Sequence, residues 1–204
     1  MRGMVLAVVV TLVAALCLSV GAYAQGGQDA AKTPQAAPNP QTQPNPNPVS
    51  SFQKFGYTRI KGILTASAEK MPEENYNFKP TDAVRSYGQI IGHLADAQYL
   101  FCSAALGEKN PGLKIEQTKT TRADLIAALK EAIAYCDKAY DTMTDATATQ
   151  PIKLFGGDMP RFGALEINNI HDMEHYGNLV TYMRLKNIVP PTSEQQQNPP
   201  AQKK

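Results

Sequence analysis

Apolar side chains return every three or four residues in four separate stretches of this chain, the spacing of a helix with one buried face. The first stretch runs from Ser51 to about Met71, with Phe52, Phe55, Ile60, Ile63, Leu64 and Met71 on its apolar stripe, and Pro72 stops it. The second opens at Ser86-Tyr87-Gly88-Gln89, a capping box in which Ser86 caps and Gln89 reaches back, and ends at Gly107 after Leu106. The third starts at Thr121-Arg122-Ala123-Asp124 and carries Leu125, Leu129, Ile133, Cys136, Tyr140 and Met143 on one stripe. A loop marked by Pro151, Gly156 and Gly157 follows. Asp158 and Pro160 then stand where an N-cap and an early helical residue belong, and the last helix runs to about Asn187, before Pro190-Pro191. No run alternates as a strand does. Four amphipathic helices predict an all-α fold, a four-helix bundle.

The ends read differently. Residues 1–24 have a basic start at Arg2, an apolar run from Met4 to Val20, and small residues at Ala22 and Ala24. That order is the pattern of a secretory signal peptide cleaved after Ala24. The run is also near the lower length limit of about 17 residues for a membrane-spanning helix, so an uncleaved anchor is the alternative. Leu16 beside Cys17 is too bulky for a lipoprotein box, and no lipid anchor is expected. Residues 25–48 are Gln, Pro, Asn, Ala and Gly with almost no large apolar side chain, so burial cannot offset the entropy of ordering them. They predict a solvated Pro/Gln-rich linker, and residues 190–204 read as a tail of the same kind. The domain is therefore residues 49–189, enough chain for one core.

The formal charge is +2 over 204 residues, and removing Arg2 with the signal leaves +1. Such balance argues against a nucleic-acid partner, and after cleavage nothing predicts stable membrane insertion. Of three cysteines, Cys102 and Cys136 outlast cleavage. In an exported protein an even pair is a disulfide candidate; two buried free thiols are the other reading.

The candidate chemistry lies in the three histidines, His93, His171 and His175. His171-Asp172-Met173-Glu174-His175 places two imidazoles at i and i+4, about 40° apart on adjacent turns, so both rings can reach one ion. Asn178, Leu179 and Tyr182 continue that face, which points it at the bundle. His93 flanks the stripe of Ile90, Leu94 and Phe101 in the second helix. Three neutral imidazoles from two helices make a facial ligand set that leaves coordination positions open. Glu174 and Asp96 each read either as an acceptor behind a ligand or as a solvated helix residue. The H-E-x-x-H order of a zincin is absent. The bland alternative for all three histidines is a set of hydrogen-bonded core residues.

The stretch from Ser86 to Gln98, with His93-Leu94-Ala95-Asp96 inside it, resembles the second-helix pattern of the DinB-like superfamily. His171-x-x-x-His175-Tyr176-Gly177-Asn178, then Tyr182-Met183-Arg184-Leu185 and Pro190-Pro191, resembles that family's last-helix signature. The resemblance covers about Ser51 to Pro191, and it implies a metal triad of His93, His171 and His175. It also implies that helices two and three run parallel, joined by a long crossover. That topology puts Cys102 and Cys136 at similar heights and so implies a Cys102–Cys136 disulfide.

The activities implied by the resemblance are those of metal-dependent transferases and isomerases that use low-molecular-weight thiols. One divalent ion is expected, zinc or nickel first, with iron and copper also suited to imidazole. The expected function is an exported metal-dependent thiol-transferase or hydrolase acting on a small molecule; the alternative is a non-catalytic metal-binding or structural envelope or stress protein. Tyr182 and Asn178 are candidates to line the site, and core packing is the equal alternative for both. Two departures weigh against thiol transfer: the family's thiols are cytoplasmic, and Tyr176-Gly177-Asn178 lacks the arginine of the family's usual triplet. A homodimer is compatible with such a bundle.

Overall fold

The computed structural model describes residues 44–197, and the expected signal peptide, most of the linker and the last residues of the tail lie outside them. Four long helices dominate: α1 (Pro48–Lys70), α2 (Tyr87–Leu106), α4 (Arg122–Thr142) and α6 (Arg161–Leu185). Two single-turn helices, α3 (Ile115–Thr118) and α5 (Asp145–Ala148), lie in the connections. A hairpin of β1 (Pro151–Leu154) and β2 (Gly157–Pro160) precedes α6, and α7 (Pro191–Gln197) closes the described chain.

Local chemistry sets the helix ends. The Ser86 hydroxyl accepts from the Gln89 N–H while the Gln89 side chain accepts from the Ser86 N–H, the predicted capping box of α2. Gly107 ends that helix in the left-handed conformation, at φ 73°. Thr121 caps α4 through the Asp124 N–H. At the start of α1 the cap comes from a distant residue: the Asp145 carboxylate accepts from the Val49 and Ser50 N–H groups. Those contacts hold the Asp145 carboxyl below its ordinary pKa, the Ser50 N–H first.

Contacts along the helices fix the topology. Leu125 touches Gly88 and Gly92, and Cys136 touches Gln98, so α2 and α4 ascend together in parallel. Lys54 meets Asp141 and Lys61 meets Asp137, so α1 runs antiparallel to α4. Gln53 bonds Phe162 and Tyr182 bonds Arg85, so α6 is parallel to α1 and antiparallel to α2. The all-α bundle is thus the expected one, its second and third long helices parallel across a crossover over residues 107–121. Cys102 and Cys136 are disulfide-bonded with Cα atoms 5.2 Å apart.

The interior has two apolar clusters with a polar layer where they meet. One holds Leu64, Ile91, Leu94, Leu129, Leu179 and Met183, all fully buried. The other holds Tyr57, Phe101, Tyr140, Ala164, Leu165 and the disulfide. Between them Gln98, Asn168 and Asp172 are buried and hydrogen-bonded to one another.

Several expectations are corrected. Phe52 and Phe55 are 77% and 67% exposed, so the buried face of α1 is Gln53, Tyr57, Ile60 and Leu64 instead. Strands do occur: Pro151 to Pro160 pairs antiparallel, with Ile152 against Met159. Asp158 therefore sits in β2 and pairs with Lys153, while the N-cap position of α6 is Pro160. The tail is ordered at its start, because Pro190 and Pro191 are buried and Thr192 bonds the Tyr176 hydroxyl. Among the described residues no helix is long and apolar enough to cross a membrane.

Candidate metal centre

Two long helices deliver the three imidazoles. His93 lies on the middle of α2, and His171 and His175 lie one turn apart on α6. Because α2 and α6 are antiparallel neighbours, the rings meet in one cluster with ring centroids 4.5 to 5.0 Å apart. Nε2 of His93 is 3.0 Å from Nε2 of His171, and ligating atoms of all three lie within 4.8 Å of one another. No ring of the three is turned out to solvent: His175 is buried, and His93 and His171 are half-buried. Two nitrogens each about 2.1 Å from a shared ion and at about a right angle are about 3.0 Å apart, so the donor set fits a divalent cation.

The surroundings tune the nitrogens. Burial first, then the neighbouring His175 and His93, lowers the His171 pKa to about 4. Burial also lowers that of His175, with His93 adding to it. Both rings therefore stay neutral at physiological pH, with lone pairs available to a cation. The Nδ1 of His171 is buried and has no hydrogen-bond partner among the described residues.

The His93 ring is oriented by a residue that helical spacing did not single out. Glu116, on the crossover, has Oε2 3.2 Å from His93 Nδ1. A carboxylate only accepts, so His93 carries its proton on Nδ1 and turns the Nε2 lone pair toward His171. The Nε of Arg85 donates to the other oxygen of Glu116 at 2.8 Å. Asp96 resolves into a specific role: its two oxygens accept from the Ile115 and Glu116 N–H groups at 2.8 and 3.0 Å, pinning the crossover to α2. Gly92 admits that crossover, since a Cβ there would lie 2.7 Å from the Glu116 Cα. A glycine one residue before a histidine was the sequence signal for a close backbone approach, but nothing in the sequence named the segment that approaches.

Glu174 is exposed and bonds none of the histidines. Asn178 has its amide nitrogen 3.3 Å from His175 Nδ1, and turning that amide over presents its oxygen to an Nδ1–H. Tyr182 is buried and donates its hydroxyl to the Arg85 carbonyl at 2.9 Å, steadying the loop that carries Arg85.

Two clefts border the cluster. One, of about 660 Å³, is bordered by His175, Arg85, Glu116, Asn178 and Tyr182. The other, of about 490 Å³, is bordered by His93, His171, Phe101, Leu100 and Phe155. The histidines thus form a wall shared by a polar cleft and a largely apolar one.

The fold has relatives. The chain is 23% identical over 127 residues to the uncharacterized protein YjoA of Bacillus subtilis (strain 168), an alignment spanning 61% of this chain and 82% of that protein. Its fold is similar to a crystal structure of a DinB-like protein from Bacillus cereus, with TM-score 0.62, 17% identity, and 69% and 95% of the two chains covered. It is also similar to a variant of the mycothiol-dependent maleylpyruvate isomerase, with TM-score 0.51 and 13% identity. That similarity covers 64% of this chain and 59% of the isomerase. The sequence profile of the DinB superfamily matches residues 57–179, and the chain belongs to that superfamily.

Proposed function

We propose that this protein binds one divalent metal ion through His93, His171 and His175 and uses it in a transferase or hydrolase reaction on a small molecule. The observation that carries the reading is the meeting of three imidazoles, two Nε2 atoms 3.0 Å apart, beside two open clefts. A structural ion is usually enclosed by four protein ligands, whereas three ligands beside open space suit catalysis. When bound, the ion would supply Lewis acidity, lowering the pKa of a water or thiol toward neutrality.

The chain's own residues perform the remaining tasks. Glu116 holds the His93 proton on Nδ1 and fixes the ring. Arg85 holds Glu116 in place and lines the polar cleft, where its guanidinium can also meet a negatively charged substrate group. The buried faces of His171 and His175 keep protons from competing for their lone pairs.

Export after cleavage near Ala24 is part of the proposal, and the Cys102–Cys136 disulfide supports it, since such bonds persist in oxidising compartments. In that setting hydrolysis is favoured over transfer to a cytoplasmic thiol. The isomerase neighbour, named for its mycothiol dependence, keeps thiol transfer as the other arm of the test. The test is a screen of hydrolysis and thiol-transfer substrates with zinc- and nickel-loaded protein, beside His175→Ala. Turnover abolished by the substitution supports the reading. Metal binding without turnover of any substrate leaves a sequestering protein in its place.

A further inference from the structure

Phe155 stands at the tip of the β1–β2 hairpin, where the two turn residues Phe155 and Gly156 have φ of 53° and 77°. A two-residue hairpin turn of this kind wants Asn or Gly at its first position, because a side chain in the left-handed region crowds its own backbone. Phenylalanine is a poor choice for the turn, and it is 69% exposed, so core packing does not explain it either. Its ring borders the same cleft as His93 and His171. It lies edge-to-face on Phe101 at 6.0 Å, and Phe101 in turn lies 5.6 Å from the His171 ring.

With Leu100 and Ala97, these two rings line the 490 Å³ cleft that His93 and His171 also border. The cleft beside His175 exposes mostly polar surface, from Lys79, Asp82, Arg85 and Glu174; Asp96, Lys114 and Glu116 border the Phe101–Phe155 cleft too, but the surface that cleft exposes is mostly apolar. We propose that the Phe101–Phe155 cleft takes an aromatic group of the substrate, stacked or edge-on against both rings, while a heteroatom of the same molecule reaches the ion. The inference rests on the metal reading for the second half of that sentence and on the cleft alone for the first. Two aromatic rings in edge-to-face contact, with aliphatic neighbours, favour a flat, weakly polar occupant over a sugar or an ion.

The test uses acetohydroxamate and benzohydroxamate, which share a chelating head and differ by a phenyl ring, titrated into the cobalt-loaded protein and followed by visible absorption. Benzohydroxamate should bind about tenfold tighter or better, from the apolar area it buries. In Phe155→Asn that preference should fall several-fold, while thermal stability is unchanged or raised, because asparagine suits the turn. Equal preference in both proteins, or no preference for the phenyl ring, overturns the proposal. Failure of cobalt to bind would reject the metal reading and leave the cleft testable in metal-free protein with indole. Amide shifts at Leu100, Phe101 and Phe155 would then sustain the aromatic site, and no shifts would reject it.

Discussion

Gly92 and Glu116 meet backbone to backbone: a Cβ on Gly92 would lie 2.7 Å from the Glu116 Cα and 3.0 Å from its nitrogen. That approach lets a residue of the crossover reach a histidine on α2. Gly92→Ala should push residues 115–117 off the helix, break the Glu116–His93 hydrogen bond, and cost about 1–3 kcal/mol of stability. Chemical denaturation reads the stability, and a zinc titration of the same variant should show weakened binding.

Glu116→Gln separates orientation from packing. The amide keeps the size of the side chain but is a weaker acceptor for His93 Nδ1, so metal affinity should fall about 10–100-fold. Stability of the metal-free protein should change by less than about 1 kcal/mol, because the pair is partly exposed. Competition with a chromophoric chelator measures the first and thermal unfolding the second. Unchanged affinity would assign Glu116 to holding the crossover alone.

The inward faces of the four long helices were readable because burial imposes a period of 3.6 on each: Leu125, Leu129, Ile133, Cys136, Tyr140 and Met143 are all buried, as their spacing required. The three histidines were readable for the same reason. What spacing could not reach was the set of partners brought together by tertiary approach. Glu116 lies on the single-turn helix α3 and Arg85 in a loop, segments too short to show a period, and Asp145 caps a helix nearly a hundred residues away. The hairpin is not legible in the sequence because its turn starts with Phe155 where asparagine or glycine marks such turns. Apolar character alone does not place Phe52 and Phe55, which are exposed, while the buried polar residue Gln53 points inward to bond the Phe162 carbonyl.

The buried Asp172 should make stability depend on pH in a direction unusual for a carboxylate. Burial pushes its pKa up to about 8, with the Gln98 amide only partly opposing. A folded pKa above the unfolded one means the native state binds the proton more tightly, so this residue's contribution is fully present below pH 4 and is lost as pH rises toward 8. His171 acts oppositely: its folded pKa is depressed to about 4, so its contribution is present above about pH 6.5 and lost as pH falls toward 4. Asp172→Asn should therefore gain stability relative to wild type as pH rises through this window. In that variant the acid-side loss from His171 and His175 should stand alone. Urea midpoints of the metal-free proteins between pH 4 and 9 give both curves.

Removing the Cys102–Cys136 bond should cost about 3–4 kcal/mol, the chain-entropy value for a loop closed over a separation of 34 residues. Both sulfurs are fully buried between the parallel helices, so the bond should resist mild reductant in the native state. Urea unfolding of a Cys102→Ala/Cys136→Ala variant measures the loss, and alkylation of native protein under increasing reductant measures the protection.

The most direct measurement is the metal content of the purified chain beside a variant with His93, His171 and His175 all changed to alanine. With three imidazoles converging on one point, wild type should carry about one divalent ion per chain after dialysis against zinc or nickel. The variant, still helical by circular dichroism, should carry none. A folded wild-type protein that takes up no ion, or a triple variant that binds as much, would contradict the account.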